Sequence, residues 1–113
     1  MSRPSEARLA DAVPIFAALG DPTRLRLVMR LCGGGPLSIT VLSEGEPVSR
    51  QAITKHLEAL SFAGLVRGAR SGRERLWELQ PKRLETARRC LEHISAQWDD
   101  ALKRLAAFVE DEE

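Results

Sequence analysis

The chain has 113 residues, 43% of them hydrophobic, and a formal net charge of +1. One folded domain fits this length, and the near-neutral total charge gives no sign of nucleic-acid binding. No apolar run approaches the ~20 residues that a membrane-spanning helix needs, and the charged N-terminus is unlike a signal peptide. Cys32 and Cys90 do not make a disulfide framework and suit a reducing compartment, so we expect a cytoplasmic protein.

Charge is distributed unevenly along the chain. Residues 1–46 carry five basic and five acidic residues, whereas residues 47–79 carry six basic and three acidic ones, a net charge of +3. Residues 80–113 are net acidic, with six basic and eight acidic residues. A basic segment between neutral and acidic flanks is typical of an element that faces DNA.

Apolar residues at helical spacing, with capping and breaking residues between them, predict four helices before residue 64. The first covers residues 7–19, where Pro14 either starts or kinks the helix. Asp21 and Pro22 start the second. The third is short, roughly residues 38–45, and the fourth begins after Ser49. The side chains expected to face the core from the second and fourth helices are Leu25, Val28, Met29, Leu31, Ile53, Leu57 and Leu60.

Residues 65–69 and 74–79 have the composition of two short strands. The segment between them, Arg70-Ser71-Gly72-Arg73, predicts a hairpin with a basic tip, which Trp77 is expected to anchor from the core. Pro81 opens a final helix, whose apolar residues recur in steps of three and four for more than three heptads. These residues are Leu84, Ala87, Leu91, Ile94, Trp98, Ala101, Leu105 and Phe108.

The order α-α-α-α-β-β-α predicts a mainly α fold, a winged helix-turn-helix with a long C-terminal dimerisation helix. We expect residues 1–113 to form a single domain. Its predicted parts are an N-terminal dimer arm and helix (1–20), a helical core with the helix-turn-helix (21–63), a β-wing (64–79) and a C-terminal dimer helix (81–109).

The fourth helix is predicted to be the recognition helix. Its outward side carries Gln51, which can bond bidentately to adenine, and Lys55, which can reach the acceptors of guanine. The methyl group of Thr54 can touch a thymine methyl, while Ser49, Arg50 and the free backbone N–H groups at the helix start favour phosphate. The alternative is that these side chains are only the solvated face of an amphipathic helix.

The hairpin and two further residues complete the candidate DNA-binding set. Arginines at the hairpin can grip phosphates or enter a minor groove, unless they serve only solubility. His56 lies nearer the apolar side of its helix, where we expect chiefly a packing role, with a base or phosphate contact as the alternative. The whole set is Ser38, Ser49, Arg50, Gln51, Thr54, Lys55, His56, Arg70, Arg73 and Arg75.

The heptad of the last helix predicts a homodimer. Two copies of a DNA reader can occupy half-sites about 34 Å apart, or a multiple of that distance. The alternative is that the apolar stripe packs only on its own domain, and we expect its early positions to do so while the later ones cross the dyad. The predicted interface residues are Phe16, Leu91, Ile94, Trp98, Ala101, Leu105 and Phe108.

Four segments together resemble the ArsR/SmtB family of bacterial repressors. They are residues 18–25 (ALGDPTRL), 48–57 (VSRQAITKHL), 60–66 (LSFAGLV) and 72–79 (GRERLWEL), in consistent order and spacing. The resemblance implies a dimer whose first and last helices form the interface, and repression that an inducing signal relieves.

The chain departs from the metal-sensing members of that family. Ser38 and Thr40 stand where those members carry a Cys-x-Cys pair, and hydroxyls are poor ligands for thiophilic metals. In the last helix, His93 is more than a turn from Asp99 and Asp100. We therefore expect no metal and no other cofactor.

The predicted function is a homodimeric repressor of its own operon, which binds double-stranded DNA at an inverted-repeat operator and is released by an unidentified signal. We expect it to act at the nucleoid. The sequence has no phosphate loop, nucleophile motif or clustered acid and base, so no enzymatic activity is expected. Two alternatives stay open. One is a protein-interaction module that has lost DNA binding, and the other is a thiol-based redox-responsive repressor that uses Cys32 and Cys90.

Overall fold

The computed structural model describes residues 4–111, with the side-chain surroundings of residues 9–110. The expectations for residues 1–3 and 112–113 lie outside the described residues. Within this range the chain forms five helices and three strands. They are α1 Pro4–Leu19, α2 Pro22–Gly34, β1 Leu37–Ser38, α3 Ile39–Ser43, α4 Arg50–Phe62, β2 Val66–Ser71, β3 Glu74–Leu79 and α5 Pro81–Asp111.

Side-chain caps determine where three of the helices begin. The Asp21 carboxylate accepts a backbone N–H of the first turn of α2 at 3.1 Å, beside Pro22. The hydroxyls of Ser38 and Ser49 accept the corresponding N–H groups of α3 and α4, at 3.3 and 3.1 Å. Each oxygen pairs a donor that a helix otherwise leaves free at its start. The predicted caps Asp21 and Ser49 therefore place the starts of α2 and α4 correctly.

The core forms where α4 meets the rest of the domain. Ile53, Leu57 and Leu60 are fully buried along one side of α4, as their spacing predicts. Trp77 of β3 is 2% exposed, which confirms that it anchors the hairpin from the core. The remaining members of the buried cluster are Ile15, Ala18, Leu27, Val28, Leu31, Leu42, Leu65, Val66 and Ala87. Because this side of α4 is buried, its opposite side faces outward.

The sheet has three antiparallel strands in the order β1-β3-β2. β2 and β3 form the predicted hairpin, and Gly72 at its tip has the positive φ, +65°, that a tight turn requires. β1, in which Leu37 pairs with Trp77, was not predicted from the sequence. A strand of two residues is too short to display the alternating pattern by which strands are recognised. The predicted order of elements is otherwise confirmed.

The expected buried stripe of α2 is partly wrong. Leu25 and Met29 are 44% and 64% exposed, and Leu27 is buried in their place. The reason is that the core-facing side of α2 is centred on Leu27, Val28 and Leu31. Single-sequence periodicity does not separate this arrangement from one rotated by part of a turn, because leucine occurs on both sides of the helix.

Three boundaries also differ from the prediction. Pro14 lies inside α1 and does not start it. α3 ends at Ser43, since Gly45 has a positive φ that an α-helix does not accept. β2 continues to Ser71 and does not stop at Ala69, so the hairpin is longer than expected.

Only the first part of α5 packs on its own domain. Ala87 is buried and Leu84 is half-buried against the core, and α1 packs against α5. From Leu91 to Glu110 every residue of α5 is exposed. The helix of 31 residues therefore projects from the domain, and the chain is 67 Å long in its largest dimension.

We predict that stability depends on the inward side of α4. Leu57→Ala should lower the free energy of unfolding by about 2–5 kcal/mol, because it removes a fully buried side chain and leaves a cavity. Phe62→Ala in the same helix is the matched control. Phe62 is 97% exposed, so its truncation should change stability by no more than about 0.5 kcal/mol. Urea unfolding measures both, and equal losses would contradict this assignment of the core.

Candidate nucleic-acid interface

The outward side of α4 is a polar surface at the start of the helix. Arg50, Gln51 and Lys55 are exposed there, and they line one open depression together with Thr54, Glu58 and Ile39 of α3. Thr54 is half-buried, and its hydroxyl donates to the backbone oxygen of Arg50 at 3.0 Å. The structure thus brings four of the candidate DNA-binding residues together on one surface.

Two candidate residues, Ser38 and Ser49, have a structural role in the fold. Ser49 is exposed at the N-terminal end of the depression, whereas Ser38 is half-buried at the end of β1. Both hydroxyl oxygens already accept a backbone N–H as helix caps. Each hydroxyl keeps its own hydrogen for donation to an acceptor such as a phosphate oxygen. Phosphate binding by Ser49 stays a prediction, and the capping role of Ser38 was not predicted from the sequence.

His56 faces the junction between α1 and α2. Its Nδ1 atom lies 3.5 Å from a guanidinium nitrogen of Arg24 and 3.9 Å from the Asp21 carboxylate. Arg24 in turn donates through Nε to the backbone oxygen of Ala18, at 2.6 Å. The cluster joins the end of α1, the start of α2 and the middle of α4. These contacts favour the packing interpretation of His56 over a base contact.

Two arginines of α2 hold α3 and the turn after it, and the sequence analysis did not single them out. Arg30 donates to the backbone oxygens of Val41, Leu42 and Glu44 at 2.8–3.0 Å, so it binds the carbonyl groups at the end of α3. Arg26 makes a bidentate bond with Glu46, at 3.0 Å. No signal in the sequence marks these pairs, because each joins positions more than ten residues apart.

The wing carries its positive charge unevenly. Arg70 and Arg75 stand directly opposite each other on β2 and β3, and Arg73 lies at the tip. The Arg75 guanidinium stacks 4.4 Å above the Trp77 ring. Gly68 leaves room for it, since a Cβ there would come within 2.6 Å of Arg75 Nε. All three arginines are exposed and form no ion pair among the described residues, but only Arg75 has its guanidinium held against the fold, on Trp77.

The residues predicted for the dimer interface fall into two groups. Phe16 is half-buried and packs against the core of its own domain. Six residues of α5 are exposed, in agreement with the predicted stripe: Leu91, Ile94, Trp98, Ala101, Leu105 and Phe108. Leu102 and Val109 widen the stripe, and Leu9 and Val13 of α1 are also exposed. A strict heptad count overlooks Leu102 and Val109, since each lies one position beyond the repeat.

The two thiols lie on different helices, α2 and α5. Cys32 is exposed at the end of α2, Cys90 is half-buried in α5, and both are free thiols. The described residues contain no group of three His, Cys, Asp or Glu side chains that could hold a metal ion. No described helix is long and apolar enough to cross a membrane. The redox alternative stays a hypothesis from the sequence.

The fold and the exposed polar helix beside a basic hairpin define a winged helix-turn-helix domain. Residues 19–69 match the family described as a helix-turn-helix domain. The HTH-type transcriptional regulator Rv2034 of Mycobacterium tuberculosis is 37% identical over 97 residues, which cover 86% of this chain and 87% of that protein.

Two solved structures are also similar. An ArsR-like transcriptional regulator from Rhodococcus sp. RHA1 is 42% identical with a TM-score of 0.68, over 88% of this chain and 91% of that chain. A possible transcriptional regulator for arsenical resistance is 37% identical with a TM-score of 0.64, over 80% and 91% of the two chains. The chain belongs to the ArsR family of winged helix-turn-helix transcriptional regulators, which confirms the resemblance in its sequence.

We predict that the Arg26–Glu46 pair makes stability depend on pH. The hydrogen bond from Arg26 holds the pKa of Glu46 below its ordinary value of 4.5. A lowered folded-state pKa stabilises the fold above the unfolded-state value and loses that effect as pH falls through the folded-state value. Glu46→Gln should therefore be destabilising at about pH 7, and the difference from the parent should shrink toward about pH 3.

Urea unfolding at both pH values tests this expectation. Glu44→Gln is the matched control, since Glu44 is exposed two residues away and makes no ion pair in the described chain. Its effect should be small at either pH. A Glu46→Gln penalty that stays constant down to about pH 3 would show that the ion pair is not its cause.

Proposed function

We propose that the chain is a homodimeric repressor that binds an inverted-repeat operator through the start of α4 and the wing. The observation that carries this proposal is the outward side of α4, where Arg50, Gln51 and Lys55 are exposed together at a capped helix start. A helix that enters the major groove reads bases with the residues of its first turns. Gln51 suits adenine and Lys55 suits guanine, because their hydrogen-bonding groups complement those base edges.

The wing supplies backbone contacts in this proposal. Like charges directly opposite each other on paired strands repel, so the Arg70–Arg75 pair costs stability in the free protein. A phosphate between them removes that cost. Arg70 and Arg73 are the main phosphate-binding candidates, while Arg75 adds charge from its position on Trp77. Such contacts position the protein on DNA without selecting a sequence.

Dimerisation follows from the exposed stripe of α5. Trp98, Leu105 and Phe108 are each about 60% exposed in the single chain. Contiguous apolar surface of this kind marks an interaction site. A second copy of the same stripe is the simplest partner, because a two-fold pair of recognition helices would match an inverted repeat.

The proposed repressor would have no enzymatic activity and would act at the nucleoid, in the cytoplasm. Footprinting on the promoter of its own gene tests directly whether the protein controls its own operon. Protection of an inverted repeat there is the expected result. Binding to no promoter fragment would favour the alternative, a protein-interaction module that keeps the fold alone.

Lys55 and Arg73 are predicted to contribute differently to DNA binding. Lys55→Ala should weaken operator binding by about 1–3 kcal/mol and relax the preference at one base pair, because it removes a base contact. Arg73→Ala should weaken binding to all duplexes alike and reduce the slope of log affinity against log salt by about 0.9, the effect of one phosphate contact.

Fluorescence anisotropy titrations over a range of salt concentrations measure both quantities. Lys103→Ala and Arg104→Ala remove the same charges from exposed positions of α5 and should leave base preference unchanged. If both Lys55→Ala and Arg73→Ala bound the operator as tightly as the parent, the docking of α4 and the wing would be wrong.

Charge placed in the α5 stripe is predicted to separate the dimer. Leu105→Glu would bury a carboxylate in an apolar contact, which is unfavourable without a partner. The expected result in sedimentation equilibrium is a monomer, with weaker DNA binding because two half-sites no longer bind together. Lys103→Glu introduces the same side chain on the opposite side of α5 and should remain dimeric. A dimeric Leu105→Glu variant would place the interface elsewhere.

A further inference from the structure

The outward side of α4 includes a carboxylate. Its negative charge does not contribute to a general attraction to DNA. Glu58 is exposed and lines the same depression as Arg50, Gln51 and Lys55. It forms no ion pair in the described part of the chain, although Lys55 precedes it by three residues on the same helix. The glutamates that do form ion pairs are Glu46, Glu78, Glu85 and Glu92.

Glu58 lies on the same outward side of α4 as the proposed base-reading residues, just after the second turn of the helix. It follows Gln51 by seven residues, or two helical turns, so the two side chains share one side of the helix about 10 Å apart. If α4 lies along the groove, a side chain about 10 Å further along the helix faces a base pair about three steps of ~3.4 Å from the one that Gln51 faces. In the proposed docking, Glu58 faces DNA.

A carboxylate at this place is selective by chemistry. An ionised carboxylate only accepts hydrogen bonds, whereas guanine and thymine present only acceptors and a methyl group in the major groove. Adenine presents the N6 amino donor next to the N7 acceptor, and this acceptor repels the second oxygen of a carboxylate. Cytosine presents the N4 amino donor alone. Cytosine is therefore the base that Glu58 fits best, because guanine and thymine offer no donor and adenine places an acceptor beside its donor.

We propose that Glu58 is a specificity-determining residue that accepts a hydrogen bond from N4 of a cytosine in each half-site. The inference rests on the proposed function, since it needs α4 to lie in the major groove. It adds to that function a base pair that the positive side chains do not read. The negative charge of the carboxylate weakens binding to DNA in general. The hydrogen bond from cytosine offsets that loss where a cytosine lies opposite Glu58.

The test compares base preferences of four proteins. The parent, Glu58→Ala, Glu58→Gln and the control Glu110→Ala each select duplexes from a random double-stranded library, and the affinity for the parent's preferred site is then titrated. Glu110 is an exposed glutamate at the far end of α5, so its loss changes the total charge equally without touching α4. Since Glu58 is exposed, its variants should keep the fold, which urea unfolding checks.

The expected result is a half-site with one C·G pair whose preference disappears in Glu58→Ala while the other preferences remain. Affinity of that variant for the parent's site should fall about 10-fold, the effect of one good base contact. Glu58→Gln should shift the preference at that pair from cytosine toward adenine, because an amide binds adenine bidentately. Glu110→Ala should select the same site as the parent.

Two results would overturn the inference while leaving the proposed function intact. Tighter binding of Glu58→Ala to every duplex, with unchanged preferences, would mean that the carboxylate only repels DNA. Weaker binding to every duplex with unchanged preferences would mean that Glu58 only positions its neighbours. If the parent selects no sequence at all, the proposed function fails and the inference fails with it.

Discussion

Burial of one side of α4 is the constraint on which the rest of the structure depends. Ile53, Leu57 and Leu60 are completely buried, so the rotation of the helix about its axis is set by the core. Side chains on the opposite side of the helix then have to point outward, and Gln51, Lys55 and Glu58 do so. An interface for DNA thus results from packing, and no loop has to be ordered to create it. Rigid elements hold such a surface more accurately than loops do.

Polar contacts set the remaining degrees of freedom of this helix. Arg30 holds the end of α3 through three backbone oxygens, and Arg26 holds the turn after it through Glu46. His56, near Asp21 and Arg24, faces the start of α2 from the middle of α4. Apolar packing alone tolerates sliding along a helix, whereas these hydrogen bonds have directions and specific partners. α2 therefore restrains α3 and the turn before α4 through Arg30 and Arg26, and it meets α4 itself at His56.

The sequence was informative where a local rule applies. Caps at Asp21 and Ser49, the spacing of Leu57 and Leu60, and the glycine at the hairpin tip each belong to a few neighbouring residues, and the fold class followed from their order. The exposure of Arg50, Gln51 and Lys55 followed from the same periodicity. The contacts of Arg30, of Arg75 on Trp77 and of Leu37 with Trp77 depend on distant segments meeting, which one sequence does not specify. Leu25 and Met29 were misplaced because helical periodicity alone left two similar rotations of α2.

The length of α5 has a mechanical consequence for the proposed dimer. Packing of α5 on its own domain ends near Cys90, and the twenty residues from Leu91 to Glu110 are exposed, a helix about 30 Å long. An isolated helix that exposes this much apolar surface is only marginally stable in water. Two copies that bury the stripe against each other stabilise both helices. α1 packs on the same helix, and its last turn is bonded through Arg24 to the cluster that contains His56 of α4. The surface that pairs two copies is thus connected, through one helix and two side chains, to the recognition helix. A change in how the copies pair would alter the separation and tilt of the two recognition helices. A signal that acts on the dimer could therefore change the affinity for DNA directly.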